Sequence, residues 1–250
     1  MITMSTKELV RKVLPPSVII HLMAAMNYQS GEPELKLLKS LVDPQKNSID
    51  IGANKGVYTY FLSRLSHHVF AYEPNPELAK FVTKSVGSNV TFYSIALSDR
   101  EGEAILSIPI VNNFLYDQLG TLETGVTDEN GRSYQVPLKR LDDQNHTNIG
   151  FIKIDVEGHE ESVIDGAYNL LITQRPNLLI EIEQKHHPDQ DISKIFAKIL
   201  ALDYEGYFFI NDQLKSLSEF SQEKHQDTKN YQGLHSLGKT YVCNFIFKPR

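Results

Sequence analysis

From residue 47 onward the chain alternates short apolar runs with amphipathic ones, and that alternation predicts its elements. Ser48–Ile51, His68–Glu73, Val90–Ala96, Gly150–Asp155, Leu178–Glu183, Tyr207–Asn211 and Thr240–Phe247 read as strands, rich in Val, Ile, Phe and Tyr and mostly bounded by Gly, Pro, Asn or Asp. Val57–Leu65, Pro76–Val86, Glu160–Thr173 and Asp191–Leu202 read as helices. Strands separated by helices imply βαβ units, so the class is α/β with a mainly parallel, seven-stranded sheet. No clear helix separates the last two strands, which are therefore expected to pair antiparallel at one edge.

The rhythm changes in two places. Ala104–Ile110 and Tyr134–Leu141 read as extra strands around an inserted loop, 111–133, that is polar and contains Gly120, Gly125 and Gly131. A loop that long inside a compact domain is functional or disordered, and this one is expected to be a mobile cover over the acceptor side of the site. Residues 1–46 are read as an N-terminal helical extension, with helices at Lys7–Leu14, Val18–Tyr28 and Glu34–Leu41 punctuated by Pro15-Pro16 and Asp43-Pro44. It reads as a cover for one sheet face, with a substrate-gating lid as the alternative, and residues 47–250 as the main domain.

Composition narrows the function classes. With 250 residues, 41% hydrophobic and 22% charged, the chain supports one core plus an extension. A net charge of −6 argues against nucleic acid as the main partner, because phosphate binding needs a basic face. The one cysteine, Cys243, lies in an apolar run and reads as a small buried hydrophobe. No internal disulfide fits a reducing compartment, and a cytoplasmic location is the expectation. No apolar run reaches the roughly 20 residues of a membrane span, and Val18–Met26 is too short and carries His21. No signal peptide is read.

Candidate chemistry lies at strand ends. Asp50-Ile51-Gly52-Ala53-Asn54-Lys55-Gly56 is a strand end, a glycine turn and a helix start. Gly52 supplies a positive φ and Gly56 close approach, and the helix offers free N–H groups to a ligand. Glu73, in Tyr72-Glu73-Pro74-Asn75-Pro76, lies about 20 residues on, where a nucleotide-binding unit holds ribose hydroxyls; the alternative is that it caps the next helix. Ser94–Asp99 is either an adenine contact or an ordinary strand end. Phe151–Glu161 runs a buried strand into Asp155, Glu157 and His159, and Leu179–Glu183 adds Glu181 and Glu183 on the next strand. His159 is the natural proton acceptor among them. The competing reading pairs these acids with Lys153 and Lys185. Asp155, Glu157, His159, Glu181 and Glu183 also offer ligands for Mg²⁺ or Mn²⁺, but without a tight metal-binding spacing, so a divalent metal is possible and none is predicted. His186-His187, before Pro188, reads as a solvated loop pair.

The acid–glycine turn lacks G-x-G-x-x-G and resembles the acidic motif of S-adenosylmethionine-dependent methyltransferases. Asp-Ile-Gly-Ala-Asn-Lys-Gly, Tyr-Glu-Pro-Asn-Pro, Ala-Leu-Ser-Asp, Leu141-Asp142-Asp143, Ile-Lys-Ile-Asp-Val-Glu-Gly-His-Glu and Ile-Glu-Ile-Glu occur in order and together resemble the FkbM-type methyltransferase family. The resemblance implies a Rossmann-like methyltransferase fold, S-adenosylmethionine as donor and a hydroxyl of a small molecule, sugar or glycan as acceptor. It implies cofactor contacts at Asp50, Gly52, Ala53, Asn54, Gly56, Tyr58, Thr59, Glu73, Pro74, Asn75, Ala96, Leu97 and Asp155. It implies catalytic roles for His159, Asp155, Glu157 and Glu181. Two alternatives remain at this stage: an NAD-dependent oxidoreductase, and a non-catalytic cofactor-binding protein of the same fold.

Overall fold

The computed structural model describes residues 14–108, 110–111, 114–115, 120–122, 131–227 and 241–250. In chain order it contains α1 (Pro16–Ser30), a 3₁₀ turn (Pro33–Lys36), α2 (Leu38–Leu41), β1 (Asn47–Ile51), α3 (Val57–Leu65), β2 (Val69–Tyr72), α4 (Pro76–Val82), β3 (Val90–Tyr93) and β4 (Ala96–Leu97). Then come β5 (Gly102–Ile108), β6 (Ile110–Val111), β7 (Phe114–Leu115), β8 (Arg132–Lys139), β9 (Ile149–Ile154), α5 (Glu160–Gly166), α6 (Tyr168–Gln174) and β10 (Asn177–Glu181). The chain closes with α7 (Ser193–Leu200), β11 (Tyr204–Ile210), β12 (Gln213–Ser216), α8 (Gln222–His225) and β13 (Asn244–Pro249).

The main sheet has eight strands in the order β12-β11-β13-β10-β9-β1-β2-β3. β3, β2, β1, β9 and β10 run parallel, β13 is antiparallel to both β10 and β11, and β12 is antiparallel to β11. The antiparallel pairing of the last two expected strands is therefore present. β13 sits inside the sheet because Phe245, Ile246 and Phe247 are all fully buried and need cover on both faces. The edge is β12, whose apolar Leu214 is 41% exposed, so no buried alternation announced it.

Side chains alternate across β9, and this places the site. Ile152 and Ile154 join the core under α5, α6 and α7. Phe151 joins the opposite core with Leu38, Leu41, Tyr58 and Leu62 of α2 and α3. Lys153 projects to the same side as Phe151, with its ammonium 5.1 Å from the centre of the Tyr58 ring. The N-terminal helices lie on that face as well, and α1 touches the glycine turn, since a Cβ on Gly56 would stand 3.8 Å from Ile20.

Two expected elements divide. Val90–Ala96 breaks at Ser94, and Ala96–Leu97 leaves the main sheet to pair with β8 in a second sheet of order β4-β8-β5. Glu160–Thr173 is two helices hinged at Ala167, and the second is capped from outside: Asp142 accepts hydrogen bonds from the Asn169 and Leu170 N–H groups. The expected helix Lys7–Leu14 lies almost wholly outside the described residues, as does most of the inserted loop 111–133. The bridge Ser107–Thr121 is a described part of that loop.

At Gly166 two rules oppose each other. An alanine there would add helix propensity worth about 1 kcal/mol, but its Cβ would stand 1.9 Å from the Ser98 carbonyl oxygen. Overpacking against backbone costs roughly 1–3 kcal/mol. Gly166→Ala is expected to lower stability by about 1 kcal/mol or more in urea unfolding; a stabilised variant would show that the Ser98 backbone yields freely.

Candidate active site

The glycine turn is held by β2. The Tyr72 carbonyl accepts hydrogen bonds from both the Gly52 and Ala53 N–H groups at 2.9 Å. Gly52, at φ +78°, lies against the end of β9, and any Cβ there would stand 1.7 Å from the Asp155 carbonyl oxygen. Asn54 also adopts a positive φ, +49°. Its N–H donates to Glu73 Oε2 at 2.8 Å, and the Asn75 N–H donates to Glu73 Oε1 at 2.8 Å. Asn75 is the side chain that caps α4, through Oδ1 and the Glu77 N–H. Glu73 therefore clamps the glycine turn to its own loop and leaves helix capping to Asn75.

An open cleft lies above these turns. Its walls include Gly52, Asn54, Glu73, Pro74, Asn75, Ala96, Leu97, Asp155, Glu157 and His159, with Gly120 and Leu122 from the inserted segment. Thr121 is tied to this wall by its hydroxyl, which donates to the Glu157 carbonyl at 2.9 Å. Two buried polar atoms of cleft residues, Asn54 Oδ1 and Asn75 Nδ2, have no hydrogen-bond partner among the described residues. An orphaned acceptor and an orphaned donor in one cleft are the mark of a site that completes its bonding with a polar ligand.

Beside the cleft lies a charged cluster centred on Lys153, which is 1% exposed. Its ammonium lies 3.7 Å from Asp155 Oδ2 and donates to Asn244 Oδ1 at 3.2 Å. Burial alone would push Lys153 down, yet Asp155, Glu181 and Glu32 outweigh it and hold the lysine above its ordinary value. Burial raises both Asp155 and Glu181 while Lys153 opposes both shifts; Glu157 and Glu32 push Asp155 up further, and Asp155 pushes Glu181 up further. Glu32 arrives from the N-terminal segment and accepts a hydrogen bond from the Tyr58 hydroxyl at 2.6 Å. Glu183 would rise through burial, but Lys185 at 2.7 Å and the Tyr241 hydroxyl hold it below the usual carboxylate range.

Residues 50–209, well over half the chain, match the Methyltransferase FkbM domain. The chain belongs to the FkbM methyltransferase family. The hexuronic acid methyltransferase AglP of Haloferax volcanii is 28% identical over 158 residues, covering 60% of this chain and 60% of AglP. The crystal structure of a methyltransferase FkbM from Methylobacillus flagellatus superimposes with a TM-score of 0.54 at 15% identity, covering 93% of this chain and 52% of that one. This chain therefore spans about half to three-fifths of the length of these relatives.

Within the FkbM domain the expected site residues divide into groups. Gly52, Asn54, Glu73, Pro74, Asn75, Ala96, Leu97, Asp155, Glu157 and His159 meet in the cleft. Asp50 and Thr59 lie beneath it, fully buried and bonded to each other at 2.5 Å. Ala53 and Gly56 shape the turn, whereas Tyr58 and Glu181 face the Lys153 cluster. The five candidate metal ligands, for a metal that is not predicted, are engaged elsewhere in part: His159 Nε2 contacts Ser98 Oγ at 3.0 Å and Glu157 pairs with His186 at 2.7 Å. Glu181 and Glu183 come together with Cys243, with one ligand atom of each within 4.8 Å of the others. The competing pairing of acids with Lys153 and Lys185 is present for Asp155 and Glu183.

The solvated reading of His186-His187 is corrected. β10 ends at Glu181, and the turn after it folds both rings back, so that His187 is 8% exposed and 2.8 Å from Glu160. Sequence reasoning also missed Glu32, Asn244 and Tyr241. A signal existed for Glu32 and Glu34, two acids after an uncharged helix, but nothing local indicated that they turn inward.

Asp50 gives the FkbM domain a pH signature. Burial pushes it up to about 6, against the Thr59 hydroxyl, which lowers it. The folded value exceeds the unfolded one, so the fold favours the protonated acid. That stability is full below about pH 4 and is lost as pH rises through about 6. Asp50→Asn is expected to gain at most roughly 3 kcal/mol over wild type at pH 7.5 and nothing at pH 4, by urea unfolding at both. An equal gain at both pH values would remove ionisation of Asp50 as the cause.

Proposed function

We propose that this chain is an S-adenosylmethionine-dependent O-methyltransferase whose acceptor is a hydroxyl of a sugar, glycan or related small molecule. The observation that carries it is the cleft at the carboxyl ends of β1, β2 and β9, where an open α/β sheet binds its ligand. The orphaned Asn54 and Asn75 atoms, the Gly52 cradle and the Glu73 carboxylate fit a nucleoside with a charged amino-acid tail. Membership of the FkbM family supports methyl transfer, and AglP, named for hexuronic acid, supports a sugar acceptor.

When bound, S-adenosylmethionine supplies a methyl group on a sulfonium, already activated for transfer to oxygen. Glu73 would hold the ribose hydroxyls, the Gly52–Asn54 turn the amino-acid tail, and Ala96–Leu97 the base. Asp155, between the glycine turn and Lys153, accepts the proton of the acceptor hydroxyl. Burial brings its basicity toward working pH, while Lys153 keeps it from holding a proton permanently. His159, the first choice from sequence, has Nε2 engaged with Ser98 beside Leu97, so its proposed role moves to the nucleoside side of the cleft. Much of the rate would come from holding donor and acceptor in line.

Calorimetry with S-adenosylmethionine and NAD separates this reading from an oxidoreductase: the first should bind, the second should not. Glu73→Ala is expected to weaken S-adenosylmethionine binding by roughly 10–100-fold, since it removes hydrogen bonds to a charged acceptor. Unchanged affinity would remove the ribose assignment.

With a sugar panel read by methyl incorporation, Asp155→Asn is expected to lose about 10²–10⁴ in turnover while S-adenosylmethionine affinity stays within a few-fold. His159→Asn should change affinity more than turnover; the reverse pattern would return the base to His159. Thermal unfolding of Asp155→Asn separates a chemical loss from the cost of stranding Lys153.

A further inference from the structure

A second groove, of about 410 Å³, lies between the outer faces of α1 and α3 and the 3₁₀ turn, away from the cleft. Aromatic side chains line it, among them Tyr28, Tyr60 and Phe61, with Lys36, Lys39 and Arg64 also in its walls. The Arg64 guanidinium stacks 3.4 Å from the centre of the Tyr60 ring. Among the described residues no carboxylate pairs with Lys36, Lys39 or Arg64.

α1 itself has two apolar faces. Ile19, Ile20 and Ala24 are buried, whereas Val18, Leu22 and Met26, at i, i+4 and i+8, are 41%, 48% and 68% exposed. No charged residue interrupts its fifteen positions.

Charge is distributed to match. Residues 1–46 carry six Lys and Arg against four Asp and Glu, while the remainder of this acidic chain carries 19 against 27. Two of those four acids are turned inward: Glu32 meets Tyr58 and Asn244, and Glu34 is 4% exposed. Among the described residues of that segment, Lys36 and Lys39 are exposed, against one exposed acid, Asp43.

We propose that this face docks on the surface of a bilayer rich in anionic lipid, with Val18, Leu22 and Met26 entering the interface and Lys36, Lys39 and Arg64 meeting the headgroups. Apolar insertion and headgroup attraction together are what hold an interfacial helix, and neither alone suffices. The inference stands on this face alone and does not depend on the reaction proposed above.

The test is co-sedimentation of the whole chain with vesicles of phosphatidylcholine, with and without phosphatidylglycerol. Wild type should partition onto the anionic vesicles at least about tenfold better than onto the neutral ones, and less so at high salt. Lys36→Gln with Lys39→Gln should reduce anionic partition by roughly tenfold or more. Leu22→Gln with Met26→Gln should reduce it comparably, with circular dichroism and melting temperature unchanged in both. Absence of wild-type binding, equal binding to neutral vesicles, or competition by soluble glycerol phosphate would overturn the proposal. So would a wild-type dimer in sedimentation that Leu22→Gln/Met26→Gln converts to monomer, because a second copy would then cover the stripe.

Discussion

One buried ammonium organises the acceptor side of this molecule. Lys153 occupies a position in β9 where alternation would otherwise place an apolar residue against α2 and α3, and it is 1% exposed. A buried charge without partners is prohibitively costly, so the fold must deliver acids and polar groups to it. It does so from separate parts of the chain: Glu32 before the sheet begins, Asp155 and Glu181 from adjacent parallel strands, and Asn244 from the antiparallel strand between β10 and β11. Electrostatic need, rather than apolar cover alone, ties the first described segment and the last strand to the centre of the sheet.

This arrangement explains what was legible in the sequence. The βαβ core was legible because its strands are short apolar runs between turn residues, and the cleft because its residues lie within a few positions of strand ends. Glu32 and Asn244 were not, since they are about 210 positions apart and meet only through packing, with Asn244 Nδ2 donating to Glu32 Oε2 at 3.3 Å. The break at Ser94 was hidden because Ala96 and Leu97 continue the apolar run of β3, although they pair with Leu138 and Lys139 of another sheet. Edge strand β12 was hidden for the opposite reason, having almost nothing apolar to bury.

His186 and His187 show how far a local reading extends. A histidine pair before a proline has the composition of a solvated loop, and the chain does turn there. What composition omits is that β10 ends beside two further acids, Glu157 and Glu160, each of which finds an imidazole partner within 2.8 Å. Those contacts tie the loop after β10 to the loop after β9, so the two strand ends that carry Asp155 and Glu181 are braced together from outside the sheet.

The glycine turn has a different consequence. The Tyr72 carbonyl and both Glu73 oxygens hold the backbone of Gly52, Ala53, Asn54 and Asn75 through the protein's own hydrogen bonds. The conformational entropy of ordering these residues is therefore lost during folding and not at the moment of association. A ligand entering there meets a rigid mould, so discrimination on that side rests on shape and hydrogen-bond matching. The opposite wall has a different origin, because Gly120 and Leu122 of the inserted segment supply part of it.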